Sequence, residues 1–323
     1  MARYIVDYDN HNYVTTDLGT TYRVNLPLIR PLRALCLDID IGAVTGALTL
    51  MAPESCISRM VLKADTDVIA DIEGFEAWLL ASCLGYAIAP KRVSVATTPK
   101  STIILPFGRA FALNLPSYRQ VTAEITICAA FGRLAATSWT TATSWFRLYG
   151  VEQDALPLKD ASGARLTRRF LRQQHAVPIG QLPIKLDPGV AYNNLLMCSF
   201  DVMNGTTLTP DLATDPPTNN IRNILLRAAV PGRELRLLDC NYLTACNQGL
   251  FDAGLGQMDP VAAINATLLM SKLQGVAWVE LGDGDGPLDL PGLQCSAFEC
   301  VPTGQGVLTT EQLSIVRDVL VKG

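Results

Sequence analysis

One eight-residue stretch occurs twice. Ile57-Ser-Arg-Met-Val-Leu-Lys-Ala64 is matched at an offset of 164 residues by Ile221-Arg-Asn-Ile-Leu-Leu-Arg-Ala228, sharing isoleucine, leucine and alanine and exchanging lysine for arginine. At the same offset Trp78-Leu-Leu-Ala81 meets Tyr242-Leu-Thr-Ala245, and Gly85 meets Gly249. Both copies read as strand, turn, strand, short helix, glycine. Since 164 is close to half of the 323 residues, two copies of one unit are expected rather than a single large fold. Recurrence through composition alone is the competing explanation, and the shared offset across strand and helix argues against it.

The unit is built of strands. In Leu35-Cys-Leu-Asp-Ile-Asp-Ile41 and Val121-Thr-Ala-Glu-Ile-Thr-Ile127 apolar side chains take every second place, the pattern of a sheet buried on one face and wet on the other. Further strands are expected at 43–51, 57–64, 67–72, 92–96, 102–105 and 144–149. In the second half they are expected at 195–203, 221–229, 234–238, 266–270, 276–281 and 293–301. Turn signals such as Asn204-Gly and Val230-Pro-Gly-Arg lie between them. Residues 75–85 and 242–249 have helical spacing, and Thr310–Leu320 fits a terminal helix or a last strand equally. The fold class is therefore all-β with a few short helices, arranged as tandem β-sandwiches. The expected division is an N-terminal arm (1–20), a first sandwich (21–150), a polar linker (151–165) and a second sandwich (166–323).

Charge and cysteine content narrow the function. Twenty-six basic against 30 acidic residues give a net charge of −4, which argues against a strongly cationic nucleic-acid binder. Only 17% of residues are charged while 49% are hydrophobic, a balance suited to surfaces that are themselves covered. No export signal and no apolar run of about 20 residues is read, so neither secretion nor a membrane helix is expected. The nine cysteines include no CxxC pair and fall mostly in apolar runs, as buried free thiols of a reducing compartment do.

The candidate chemistry is sparse. Asp283, Asp285 and Asp289 in Gly282-Asp-Gly-Asp-Gly-Pro-Leu-Asp289 alternate as in a calcium loop, but Pro287 stands where a third acid belongs and no glutamate closes the loop, so a plain turn is expected. Arg165, Arg168, Arg169 and Arg172, with His175, form the one basic cluster, suited to phosphate or to a salt-bridged interface. His11 and His175 are the only histidines, and neither lies in a nucleophile-elbow context. Glu124 with Glu280 or Glu299 would imitate a glycosidase dyad, although outward polar strand positions explain them as well. Among the tryptophans, Trp78 and Trp278 read as core, while Trp139 and Trp145 are candidates for an interface or a glycan platform.

The paired strand–helix blocks, the run Ile103-Ile-Leu-Pro-Phe-Gly-Arg-Ala-Phe111 and the Thr-rich run from Ala136 to Tyr149 carry a resemblance. The chain resembles the double jelly-roll major capsid proteins of the tectivirus–adenovirus lineage of icosahedral viruses, bacterial viruses among them. The resemblance is architectural and spans nearly the whole chain. It implies two tandem jelly rolls and a non-enzymatic coat protein of the virion, made in the host cytoplasm. It also implies pseudo-hexagonal homotrimers that contact neighbouring capsomers, penton or minor capsid proteins and an internal membrane vesicle. No cofactor and no sequence-specific nucleic-acid binding are implied. The alternatives are a carbohydrate- or receptor-binding sandwich such as a spike, and a β-sandwich glycoside hydrolase.

Overall fold

The computed structural model describes residues 3–12, 18–42, 44–46, 53–86, 100–108, 112–128, 136–139, 143–154, 165–177, 179–201, 221–252, 276–282, 286–304 and 311–322. The first half holds β1 (Arg3–Asn12), β2 (Thr21–Asn25), β3 (Leu32–Asp40), β4 (Val44–Gly46), β5 (Ile57–Ala64), β6 (Asp67–Ile72), α1 (Gly74–Cys83), β7 (Lys100–Pro106), β8 (Val121–Ile127), β9 (Ala136–Trp139) and β10 (Trp145–Gln153). The second holds β11 (Leu166–Ala176), β12 (Ile184–Leu186), β13 (Ala191–Asp201), β14 (Ile221–Val230), β15 (Arg233–Asn241), α2 (Tyr242–Asp252), β16 (Val276–Glu280), β17 (Leu288–Asp289), β18 (Ala297–Gly304) and β19 (Glu311–Lys322).

Each half is a sandwich of two four-stranded layers with the same strand order. In the first, β1-β10-β3-β7 faces β2-β8-β5-β6; in the second, β11-β19-β13-β16 faces β12-β18-β14-β15. This is the jelly roll, used twice. The layers are joined because β6 pairs in parallel with β11, so one layer from each roll merges into a nine-stranded sheet that includes β17. β4 and β9 form a small separate ribbon.

The duplication extends to irregularities. In the third strand of each roll one residue is skipped: Val151 pairs with Ala34 and Glu152 with Leu32, while Asp318 pairs with Asn194 and Val319 with Tyr192. β5 and β14 are each interrupted one residue after their first pair, and β6 and β15 each bulge opposite the same point of their partner. Such bulges fix register. They align Arg33 with Asn193, Ile69 with Leu237 and Val151 with Asp318. They also correct part of the sequence comparison: α1 and α2 start at Gly74 and Tyr242, so Trp78 is not the counterpart of Tyr242. Gly85 ends α1 with a φ of 70°, whereas Gly249 lies inside α2 against the Trp278 backbone.

Alternation behaves as expected where one face is wet. β8 buries Val121, Ala123, Ile125 and Ile127 and leaves Thr122, Glu124 and Thr126 partly exposed. Two expectations change, and two placements left open are fixed. Arg3–Asn12 is not an arm but an edge strand against β10. Of the arginine cluster, Arg168, Arg169 and Arg172 lie along the extended strand β11, with Arg165 just before it. Leu293–Ser296 is turn, and the strand there begins at Ala297. The terminal segment is a strand, β19, buried on both faces and hence without alternation. The strands expected at 92–96 and 266–270, most of 43–51 and of 151–165 and the end of 195–203 lie outside the described residues.

Candidate assembly surface and inter-roll seam

The two rolls are held together at a seam whose residues come from α1 and from the outer face of β11-β19-β13-β16. All ten residues of α1 are buried. Phe170, Leu196, Cys198, Val276, Trp278 and Val316 of the second roll belong to the hydrophobic core of the first, while Leu195, Met197, Ile315 and Val319 on the opposite face fill the second core. One sheet therefore serves two cores.

The arginine cluster runs along this seam. Arg168 grips Asp318 with two hydrogen bonds, Nε to Oδ1 at 2.7 Å and Nη2 to Oδ2 at 2.5 Å, and points its remaining nitrogen at the Pro106 carbonyl of the first roll. Asn193 and Asn194 also donate to Asp318, at 3.2 and 2.9 Å. Arg169 reaches Asp67 on β6, and Arg172 lies 3.3 Å from Glu73 and 3.4 Å from Glu76 at the start of α1. Burial, with Glu73 close by, pushes the Glu76 carboxyl above the ordinary carboxylate range, and Arg172 opposes that shift. Arg165 forms an isolated bridge just before β11 and is half-buried. Arg168, Arg169 and Arg172 thus have carboxylate partners within the chain.

The other candidates are dispersed. Asp283 and Asp285 lie outside the described residues, and Asp289 caps a turn by accepting from the Gly292 amide at 3.1 Å. Among the described residues no group of three potential metal ligands converges, and no helix is long and apolar enough to cross a membrane. Glu124 is paired with Lys63 at 2.9 Å and Arg23 at 3.2 Å, Glu299 with Arg227 at 2.7 Å, and Glu280 lies on β16 at the far end of the nine-stranded sheet from β8. The dyad partners are therefore not brought together. A shallow hollow of about 390 Å³ over the outer face of the first roll is lined by Arg23, Lys63, Gln120, Thr122 and Glu124 among others. Trp78 and Trp278 are buried, and the nine cysteines are free thiols, six of them buried. His11 packs against Tyr22 with the rings tilted by 47° and their centroids 3.8 Å apart.

Sequence reasoning missed the edge of the first roll. Ile5 on β1 is 71% exposed and Ile29, in the loop after β2, is 68% exposed. Beside them Arg30 lies 4.0 Å over the Tyr4 ring. No local pattern marks this patch, because exposure depends on which strand lies at the sheet edge.

No family model and no curated protein matches the chain. Solved structures do, over its whole length. The crystal structure of the STIV MCP matches with a TM-score of 0.68 at 12% identity, covering 100% of this chain and 97% of that one. The atomic structure of Sulfolobus Turreted Icosahedral Virus gives 0.70 at 12% identity, covering 99% and 91%. The major capsid protein P2 from bacteriophage PM2 gives 0.57 at 12% identity, covering 100% and 98%. At that identity the likeness speaks for the fold, the double jelly roll.

Proposed function

We propose that the chain is the major coat protein of an icosahedral virus, a structural protein that self-assembles as pseudo-hexagonal trimers and has no catalytic step. The observation that carries this reading is the end-to-end similarity of both rolls to the STIV MCP and to the major capsid protein P2 from bacteriophage PM2. The physics fits. Two copies of one roll give a subunit two similar sides, so three subunits supply six similar wedges around an axis. The seam already joins two wedges through a shared sheet and a shared core, and a low charge fraction suits flanks that neighbours cover.

On this reading the protein resides in the virion shell, against neighbouring capsomers, penton or minor capsid proteins and an internal membrane vesicle. It is made in the host cytoplasm, where free thiols stay reduced. The test is size-exclusion chromatography with light scattering, followed by electron microscopy of the purified protein. A trimer with hexagonal outline is expected; a monomer at every concentration overturns the proposal, as does glycosidase activity abolished by Glu124→Gln.

A further inference from the structure

We infer that β1, with Ile5 near its start, receives β15 and α2 of a second copy of this chain; the inference rests on the self-assembling reading above and adds which surfaces meet. Within the chain, β6 of the first roll runs parallel to β11 of the second, with Ala70 opposite Phe170 and Asp71 opposite Leu171. Phe170 is fully buried there, its ring 5.8 Å from that of Phe107. The matched bulges show what occupies the same places in the duplicate unit. Phe170 lies opposite Asp318 and Ile5 opposite Val151, the two residues the bulges align. Ile5 is therefore the positional counterpart of Phe170. By the same construction Ala70 lies opposite Leu62 and Leu238 opposite Leu226; Leu62 and Leu226 match at the offset of 164, so Leu238 and Asp239 take the places of Ala70 and Asp71.

The second half of this relation is unfilled within one chain. β1 and β15 each end their layer, and Ile5 is the most exposed large hydrophobic side chain among the described residues, although its counterpart has no exposure. An edge strand with an outward isoleucine is a surface that folded proteins keep covered. β15 supplies a fitting cover. Leu235, Leu237 and Leu238 are only partly buried against the second core. α2 follows β15 as α1 follows β6, and it turns Thr244 and Gln248 to solvent where α1 is wholly buried. Repeating the in-chain seam between copies lays β15 beside β1 and sets α2 over the outer face of β1-β10-β3-β7, where Asp38, Ile104 and Tyr149 remain partly exposed. The contact is heterologous, so it propagates from copy to copy, and three copies related by a third of a turn close it into the trimer proposed above.

The test is Ile5→Arg, which adds a charge at a position too exposed to matter for the isolated fold, measured by sedimentation velocity alongside the unaltered chain. Self-association is expected to weaken by at least about tenfold with unchanged circular dichroism. A trimer unaffected by Ile5→Arg overturns this inference and leaves the coat-protein reading standing; an unaltered chain that is always monomeric overturns both. Placing p-benzoylphenylalanine at position 5 gives a second readout. Photocrosslinks to residues 233–252 of another copy support the contact, and crosslinks confined to other segments refute it.

Discussion

Arg168 and Asp318 form a two-pronged ion pair inside the seam, 7% and 0% exposed at their side chains. Asp318 receives further hydrogen bonds from Asn193 and Asn194, so its desolvation is offset by several donors. A buried pair of this kind contributes little over an apolar replacement, but loss of one partner strands the other charge. Asp318→Ala and Arg168→Ala are each expected to cost about 3–5 kcal/mol in denaturant unfolding, and Arg168→Met with Asp318→Leu clearly less than the sum. Additive single losses would show that the two do not act as a pair.

What the sequence discloses follows from where each strand stands. β8 alternates because one face is wet, and the repeat surfaced at β5 and β14 because those strands keep the same bulge one residue after their first pair. Elsewhere loops of unequal length move the offset, so the match between Arg33 and Asn193 is invisible without coordinates. β19 could not be told from a helix because Ser314, Val316 and Asp318 face the first roll while Leu313, Ile315 and Val319 face the second core, which leaves no wet side to mark a period of two. β1 was hidden by Tyr8, the residue at its bulge, whose hydroxyl donates to Glu152 at 2.7 Å. The arginine cluster was visible as charge, but its partners Asp67, Glu73, Glu76 and Asp318 lie far away in sequence.

Gly249 gives a sharp test of packing against propensity. Alanine inside a helix ordinarily gains about 1 kcal/mol over glycine. Here a methyl group would overlap the backbone nitrogen and carbonyl oxygen of Trp278, on a strand that cannot retreat because it is paired with β13. Overpacking costs about 1–3 kcal/mol, so Gly249→Ala is expected to destabilise despite its better propensity. Gly85→Ala meets no neighbour and suffers only from its positive φ, a penalty of about 1–2 kcal/mol. Denaturant midpoints check both; a stabilised Gly249→Ala would refute the close approach of α2 to β16.

Glu76 sets a pH dependence with a definite sign. Burial raises its carboxyl above the ordinary value of 4.5, Glu73 adds repulsion, and Arg172 and Ser314 act in the opposite sense. A group whose pKa is higher when folded contributes most below its unfolded pKa, and that contribution disappears as pH rises through the folded value. Glu76→Gln keeps the shape and removes the titration. The stability of the unaltered chain relative to Glu76→Gln should therefore decline from pH 4 towards neutrality, measured by urea unfolding at a series of pH values. A difference that is flat or rises with pH would contradict it.

Thiol reactivity reports on both the cores and the edge. Burial pushes Cys36, Cys83, Cys246 and Cys300 up to about 12 and lifts Cys198 well above the ordinary thiol value of 9.0. At pH 8 a thiol with that pKa is ionised in about one molecule in ten thousand, so these sites should be silent towards a thiolate-selective disulfide reagent until the chain unfolds. Cys128, Cys240 and Cys295 are only partly buried and should account for the native signal, with all nine reacting in denaturant. Cys240 lies two residues beyond Leu238 on β15, the strand assigned to cover Ile5. Its labelling should be slow in the assembled protein and faster in Ile5→Arg, while Cys128 and Cys295 keep their rates. Mass-spectrometric mapping of the labelled peptides separates the three sites, and a Cys240 rate indifferent to assembly would place the contact elsewhere.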